Sequence, residues 1–323
     1  MRHKQTIARF AGVAVGAILL SGLVACTNSD EPADAADTNT SSESSEVTLG
    51  KGGREAAEAV KQDPAVAALV PEALRQKGTL KLVTDPTYAP IDFTDDAGNI
   101  IGVEPDFALA TANKMGLKID NGKADFNGII AGLESNRYDA SWAAFSITPD
   151  RTAVVDMVSF MNAGTAIMTK KGEENGIKKE EDLCGLTIAV QTGTTQALEV
   201  MPKFEQMCKD KGLKAITPLV VPQQDSANQS VSSGRAQAMI ADNALVAYYA
   251  QVKPTVYAAV PGILVEPALI GVAMPRINDS KLAEAYRAAI QSLIDDGTYQ
   301  EILDSWSLGN TALETAKINP KVG

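Results

Sequence analysis

The sequence predicts an α/β protein made of two similar units that face each other across a cleft. Three observations lead there. From Thr79 onward, short runs of alternating apolar residues take turns with segments of helical period, the rhythm of an α/β fold. That rhythm restarts at Leu186, after a charged excursion over 170–182. Strands in both runs end in polar loops, Asp85-Pro86-Thr87-Tyr88-Ala89-Pro90 in the first and Gln191-Thr192-Gly193-Thr194-Thr195 in the second. Ligands of open α/β sheets collect beyond the carboxyl ends of the strands, and clefts between such units favour small molecules.

The elements follow in order. Residues 54–76 carry apolar positions at Ala57, Val60, Ala65, Ala68, Leu69 and Leu74, a helical extension broken near Pro64 and Pro71 and lying outside the main sheet. Leu80-Lys81-Leu82-Val83-Thr84 alternates cleanly and reads as a strand. Helix is expected over 104–115, where Glu104 and Asp106 in the first turn match the dipole, and again from 127 to 134. Strands are expected at 117–119 and 139–144, and a short helix at 149–153. Beyond it, 154–158 and 161–168 are apolar. The second unit offers strands at 186–190, 216–221 and 238–241, with helices at 196–211, 229–233 and 243–250. An extended segment over 264–274 precedes a long amphipathic helical pair over 280–306, broken at Gly297.

The first 25 residues have the character of a leader. Arg2, His3, Lys4 and Arg9 precede an apolar stretch over 10–20 that is too short to span a bilayer comfortably. Leu23-Val24-Ala25-Cys26 resembles the lipobox of a bacterial lipoprotein signal, with cleavage before Cys26 and lipid on that cysteine. Residues 26–50, rich in Ser, Asp, Glu, Asn and Thr, read as a disordered tether. The chain is thus expected outside the cytoplasmic membrane, on a lipid-anchored leash. Cys184 and Cys208 then remain, and an exported chain makes them a candidate disulfide.

Charge and composition narrow the function. The 323-residue chain has a formal net charge of −11, and losing the three positive charges of the leader leaves −14. So acidic a surface argues against nucleic-acid binding. The single histidine, His3, lies in the leader, so a mature Ser-His-Asp triad and histidine-based zinc sites are excluded. No cofactor or metal is expected.

The densest chemistry lies over 138–151. A short apolar strand runs into Ser146-Ile147-Thr148-Pro149-Asp150-Arg151. Pro149 suits a first helical turn, Thr148 can cap it, and Arg151 follows one turn later. Hydroxyls and N–H groups at a helix start beside a guanidinium fork suit a carboxylate. A plain surface turn has the same local pattern.

The motifs, taken together and in order, resemble the extracytoplasmic solute-binding proteins of ABC transporters, in the polar amino acid-binding family. Thr84-Asp85-Pro86-Thr87-Tyr88-Ala89-Pro90, Gly102-Val103-Glu104-Pro105-Asp106-Phe107 and Asp125-Phe126-Asn127-Gly128 carry the resemblance in the first unit. Phe145-Ser146-Ile147-Thr148-Pro149-Asp150-Arg151 resembles the carboxylate-binding segment. Val190-Gln191-Thr192-Gly193-Thr194-Thr195-Gln196, Ser233-Gly234-Arg235-Ala236-Gln237-Ala238 with Asp242, and Asp296-Gly297-Thr298-Tyr299 continue it to Trp306. The likeness covers roughly residues 79–308.

The resemblance implies a two-lobed, type II periplasmic-binding-protein-like α/β fold with two crossover segments. Lobe 1 would comprise 79–163 and 267–310, lobe 2 would comprise 164–266, and 311–323 would form a C-terminal tail. The helical extension over 51–78 precedes both. It further implies that Arg151 clamps a ligand α-carboxylate with Ser146 and the backbone at Thr195, and that Asp242 takes the α-ammonium. Tyr88 and Phe126 would flank the ligand side chain, with Asp85 and Gln191 at its polar end. Ala144 stands where this family more often has glycine or serine, which narrows the pocket wall. Gln237 is expected to have no ligand role, and Trp142 is expected to pack in the core. Asp85 could instead cap its own turn, Gln191 could be solvated, and Asp242 could cap the next helix. The implied partners are an amino-acid ligand, a membrane permease with its ATPase, and the membrane through the lipid. Two other classes share the pattern: a lipoprotein that senses ligand for a receptor, and a dehydratase on the same fold. The side chain of the ligand stays open between cationic residues and glutamine or glutamate.

Overall fold

A computed structural model describes residues 51–277 and 280–321. The leader at 1–25, Cys26 and the tether at 26–50 lie outside the described residues. The N-terminal extension is three short helices, α1 (Lys51–Ala59), α2 (Pro64–Leu69) and α3 (Glu72–Lys77). Pro64 opens α2 behind Asp63, whose carboxylate accepts from Ala65 and Val66 N–H groups, so the break near Pro64 is a capped restart.

The first half of the sheet then forms. β1 (Thr79–Thr84) leads to a small antiparallel sheet of β2 (Thr87–Tyr88), β3 (Asp92–Thr94) and β4 (Ile100–Ile101). Gly102 joins this sheet to α4 (Val103–Met115) at φ 139°, where an added Cβ would lie 2.2 Å from the Ile91 carbonyl oxygen. Only glycine tolerates that backbone and that approach. β5 (Lys118–Lys123), α5 (Phe126–Glu134) and β6 (Ala140–Ser141) complete the half. β6 is shorter than the strand expected over 139–144. Ala144 at φ 52° turns the chain out of extended conformation before Ser146, which rejoins the sheet through an isolated bridge to Ile270.

After α6 (Pro149–Val154), β7 (Val155–Lys170) runs unbroken for 16 residues and merges the two apolar runs expected there. The second half follows with β8 (Thr187–Gln191), a widened π-helical turn at Gln196–Val200, α7 (Met201–Asp210) and β9 (Thr217–Val221). Pro202 has no N–H to return to Leu198, and Met201 N–H bonds instead to the Gln196 carbonyl five residues back. Next come α8 (Gln224–Ser232), β10 (Ala238–Asp242), α9 (Asn243–Val252), β11 (Tyr257–Ala259) and β12 (Val265–Pro275), then α10 (Lys281–Asp296) and α11 (Thr298–Ser305). α8 begins five residues before the expected 229, because its first turn buries polar Gln224 rather than an apolar residue.

The main sheet runs β5-β1-β6-β12-β7-β10-β8-β9, with β11 on β7. β1 lies parallel between β5 and β6, and β8 lies parallel between β9 and β10. β7 and β12 pair antiparallel along their lengths and carry both halves, with register shifts between Val265 and Ala268 and between Ile270 and Gly271. One core cluster runs through both halves, from Leu80 and Phe107 to Met239 and Leu245, while Ile188, Val190, Phe204 and Ile240 fill a second and Val83, Ile129, Phe145 and Met157 a third. Trp142 is core, with its ring stacked on Phe107 and its edge on Phe160 and Tyr286. Cys184 and Cys208 are joined, with their Cα atoms 5.7 Å apart, tying the turn before β8 to α7.

Candidate functional site

The strand ends of the two halves meet over a narrow cleft. Asp85, Tyr88, Phe126, Ala144, Ser146 and Arg151 line it from the first half, and Gln191, Thr195 and Asp242 from the second. All nine residues singled out in the sequence therefore reach one cavity. Ala143, Thr194 and Gln196 line it too. Gln196 closes the Val190–Gln196 motif in the sequence but carries no ligand role there, because its place in the first turn of a helix hides where its amide points. Gln237 lies elsewhere, with its side-chain oxygen accepting from Thr187 N–H at 2.8 Å.

Arg151 is held by α6. Thr148 caps that helix, accepting from Arg151 N–H at 3.2 Å. With only six residues in α6, the guanidinium outweighs the helix dipole as the positive element. Its Nη1 donates to the Ser146 carbonyl at 2.8 Å and its Nη2 to the Gly193 carbonyl at 3.0 Å. Phe126 and Phe145, with centroids 4.8 Å apart, stack with each other and flank it. Burial lowers its pKa to about 10, which leaves it a cation at neutral pH.

Asp242 ends β10 and precedes α9, yet its carboxylate makes no cap bond to that helix. It accepts instead from Gln196 Nε2 at 2.9 Å, and Gln196 is also bonded to Thr165 Oγ1. The Tyr88 hydroxyl accepts from Asp242 N–H at 2.9 Å. Tyr88 is thus tied to the acid as well as forming wall. Burial pushes the Asp242 carboxyl up to about 6, against the pull of Tyr88, Gln196 and Arg151.

Asp85 serves its own turn and the cleft at once. Oδ1 accepts from Thr87 Oγ1 at 3.0 Å, while Oδ2 accepts from Phe126 N–H at 3.1 Å and from Gln191 Nε2 at 2.8 Å. Burial raises its pKa. Ser146 and Thr195 hydroxyls meet across the cleft at 3.2 Å. These bonds, with Gln224 N–H on Thr87 Oγ1, draw the halves together in a closed arrangement. The pocket holds two acids, Asp85 and Asp242, against one base, Arg151. Behind it, Ala144 N–H donates to both Glu104 carboxyl oxygens, at 2.9 and 3.0 Å. Burial, with a smaller push from Asp242, raises Glu104 to about 7, and burial together with Glu104 holds Asp92 well above its usual range. Among the described residues, no cluster of three or more His, Cys, Asp or Glu could hold a metal ion, and no helix is long and apolar enough to cross a membrane.

Comparison with known proteins gives a consistent picture. Bacterial extracellular solute-binding proteins, family 3, match residues 80–310. The arginine-binding protein ArgT of Corynebacterium glutamicum is 35% identical over 79% of this chain and 83% of the relative. An ancestral arginine-binding protein bound to arginine superposes with a TM-score of 0.64 at 33% identity, covering 71% of this chain and 98% of that one. An ancestral amino acid-binding protein, a precursor of cyclohexadienyl dehydratase, superposes with a TM-score of 0.62 at 30% identity, covering 74% and 99%.

Proposed function

The chain belongs to family 3 of the bacterial extracellular solute-binding proteins, and from that premise we propose that its ligand is arginine or a close cationic analogue. It is an amino acid-binding protein of an ABC transporter, with the two-lobed fold of that family. One observation carries the choice of ligand, which is the charge inventory of the pocket. Arg151 and Asp242 together match the α-carboxylate and α-ammonium of any amino acid. Asp85 is then left over, buried and facing Gln191. An unmatched buried carboxylate is costly, and a cationic ligand side chain supplies its partner. The names of the similar proteins support the same ligand.

In this reading Arg151, with Ser146 and the Thr195 backbone, holds the α-carboxylate and Asp242 holds the α-ammonium. Tyr88 and Phe126 flank the aliphatic stem, Ala144 closes the wall, and Asp85 with Gln191 takes the guanidinium. Ligand that touches both halves favours the closed form and shifts the population towards it. The lobes, 79–163 with 267–310 and 164–266, would turn about β7 and β12. The register shifts of β12 and the positive φ of Glu266 (50°) support a flexing point there. Binding rather than catalysis is also supported by the placement of Glu173 and Glu174, which lie on the surface excursion after β7, where Glu174 bonds Gly172 N–H, and not in the pocket.

Isothermal titration calorimetry of residues 51–323 against the amino acids tests the ligand. Arginine is expected to bind tightest. Asp85→Asn is expected to weaken arginine by roughly tenfold or more while leaving glutamine nearly unchanged, a loss of about 1.4 kcal/mol or greater. Tighter binding of a neutral amino acid than of arginine by the unaltered protein would sink this choice. Lipid on Cys26 is inferred from the leader pattern, and it places the protein at the outer face of the membrane. Labelling with palmitate, present in the unaltered chain and lost in Cys26→Ser, checks it; equal labelling of both would refute it.

A further inference from the structure

Two acids lie buried behind the ligand pocket on adjoining backbone, where Glu104 N–H donates to the Ile91 carbonyl at 3.0 Å. Asp92, opposite Tyr88 in the β2–β3 pairing, is 1% exposed, and Glu104 in the first turn of α4 is fully buried. By geometry neither Asp92 carboxyl oxygen has a hydrogen-bond partner, and the Thr84 hydroxyl is also left without one. Both Glu104 oxygens converge on the single N–H of Ala144. Two neighbouring ionised carboxylates in a dry interior repel each other strongly. A carboxylic acid facing a carboxylate resolves both problems, because the acid proton becomes the donor that is missing.

We propose that Asp92 and Glu104 never ionise together, that Glu104 is a positioning residue of the ligand site, and that binding of a cationic amino acid takes the pair from two shared protons to one. The coupling runs through Ala144. Its φ of 52° is left-handed, unusual for a residue with a side chain, and its N–H is what Glu104 grips. An ionised Glu104 grips harder than a protonated one. Two residues on, the Ser146 carbonyl receives the Arg151 fork, so the state of Glu104 reaches the carboxylate clamp through this turn. The charges around the pair are mostly acidic. Asp85 from the end of β1 acts on Asp92, and Asp242 from the end of β10 acts on Glu104. Tyr88 from β2 lies between Asp92 and Asp242 and stays protonated. Arg151 from α6 acts on Asp242, and the next acid of α4, Asp106, faces away towards Trp306, Arg54 and Glu58. A ligand ammonium on Asp242 cancels that acid's field at Glu104 and favours the ionised state. By linkage, proton loss favours ligand, so affinity rises as pH rises through neutrality.

This inference rests on the cationic-ligand reading, and the experiment separates the two. Arginine is titrated into the mature protein by calorimetry in phosphate and in imidazole buffer at pH 6, 7 and 8. Proton release is expected to be largest near pH 7, with affinity falling roughly tenfold from pH 8 to pH 6. Glu104→Gln should still bind arginine but release only the fraction contributed by Asp242, centred near pH 6. Asp92→Asn keeps a donor for Glu104 and should retain the release. Arginine binding without proton release, or undiminished release in Glu104→Gln, overturns the proposal. A carboxyl NMR titration of Glu104 in the ligand-free protein decides it independently of ligand and of whether the variant folds. A midpoint near neutrality supports the pair, and one in the ordinary carboxylate range overturns it.

Discussion

Arg151→Ala is expected to weaken arginine binding by about 2–5 kcal/mol, a loss of roughly thirtyfold to several thousandfold. The guanidinium is the one cation lining the pocket among the described residues, so its removal leaves the ligand carboxylate buried without a counter-charge. The fold should survive. Arg151 sits on a short helix whose cap is Thr148, and its side chain is bonded to two neutral carbonyls, Ser146 and Gly193, rather than to a buried acid. Those carbonyls can turn to water in an opened cleft. Calorimetry with arginine, alongside circular dichroism and thermal unfolding, checks both halves of the expectation. Retained affinity would remove Arg151 from the site, and an unfolded variant would make it structural.

The second large effect has two opposite parts. Asp242→Asn should weaken arginine by a similar 2–5 kcal/mol, since an amide cannot neutralise the α-ammonium. It should also stabilise the empty protein at pH 7 and above. The Asp242 carboxyl has its pKa raised to about 6 in the folded state, chiefly by burial, from a usual value of 3.8. A group raised in this way lets folding favour its protonated form. Stability from this group is therefore full at low pH and is lost as pH rises through the interval from about 4 to about 6. Above that interval the ionised acid costs of order 1–3 kcal/mol, which asparagine avoids while still able to accept from Gln196. Urea unfolding of both proteins at pH 5 and pH 8 tests it. An advantage for Asp242→Asn that is absent at pH 8, or larger at pH 5, would contradict the sign. The two substitutions dismantle one zwitterion clamp, so their losses should not add.

What stabilises the empty protein and what binds ligand thus pull against each other at one carboxylate. The same tension recurs at Ala144, a non-glycine residue in left-handed backbone, and at the Asp92–Glu104 pair. All three lie where the strand ends meet, while the cores beneath them are apolar and paired in the ordinary way. Local rules read from sequence are expected to fail most at such places.

By itself, the sequence determined the class of the fold, the order of its elements and which residues would stand at the strand ends. These depend on short-range periodicity, proline and glycine punctuation, and motif order, all written locally in the chain. The two-turn break at Pro64, the capped start at Pro149 and the strand delivering Asp242 were legible for that reason. Only the tertiary structure decided who touches whom. Asp85 meets Gln191 across 106 residues, Arg151 reaches the Gly193 carbonyl, and Tyr88 bonds Asp242 across 154. The pairing of Asp92 with Glu104, and the turn at Ala144 that cut short the expected strand, were also invisible beforehand. Each depends on how two sheet halves close over a shared pocket, and the burial and neighbouring charge created there have no counterpart in local sequence.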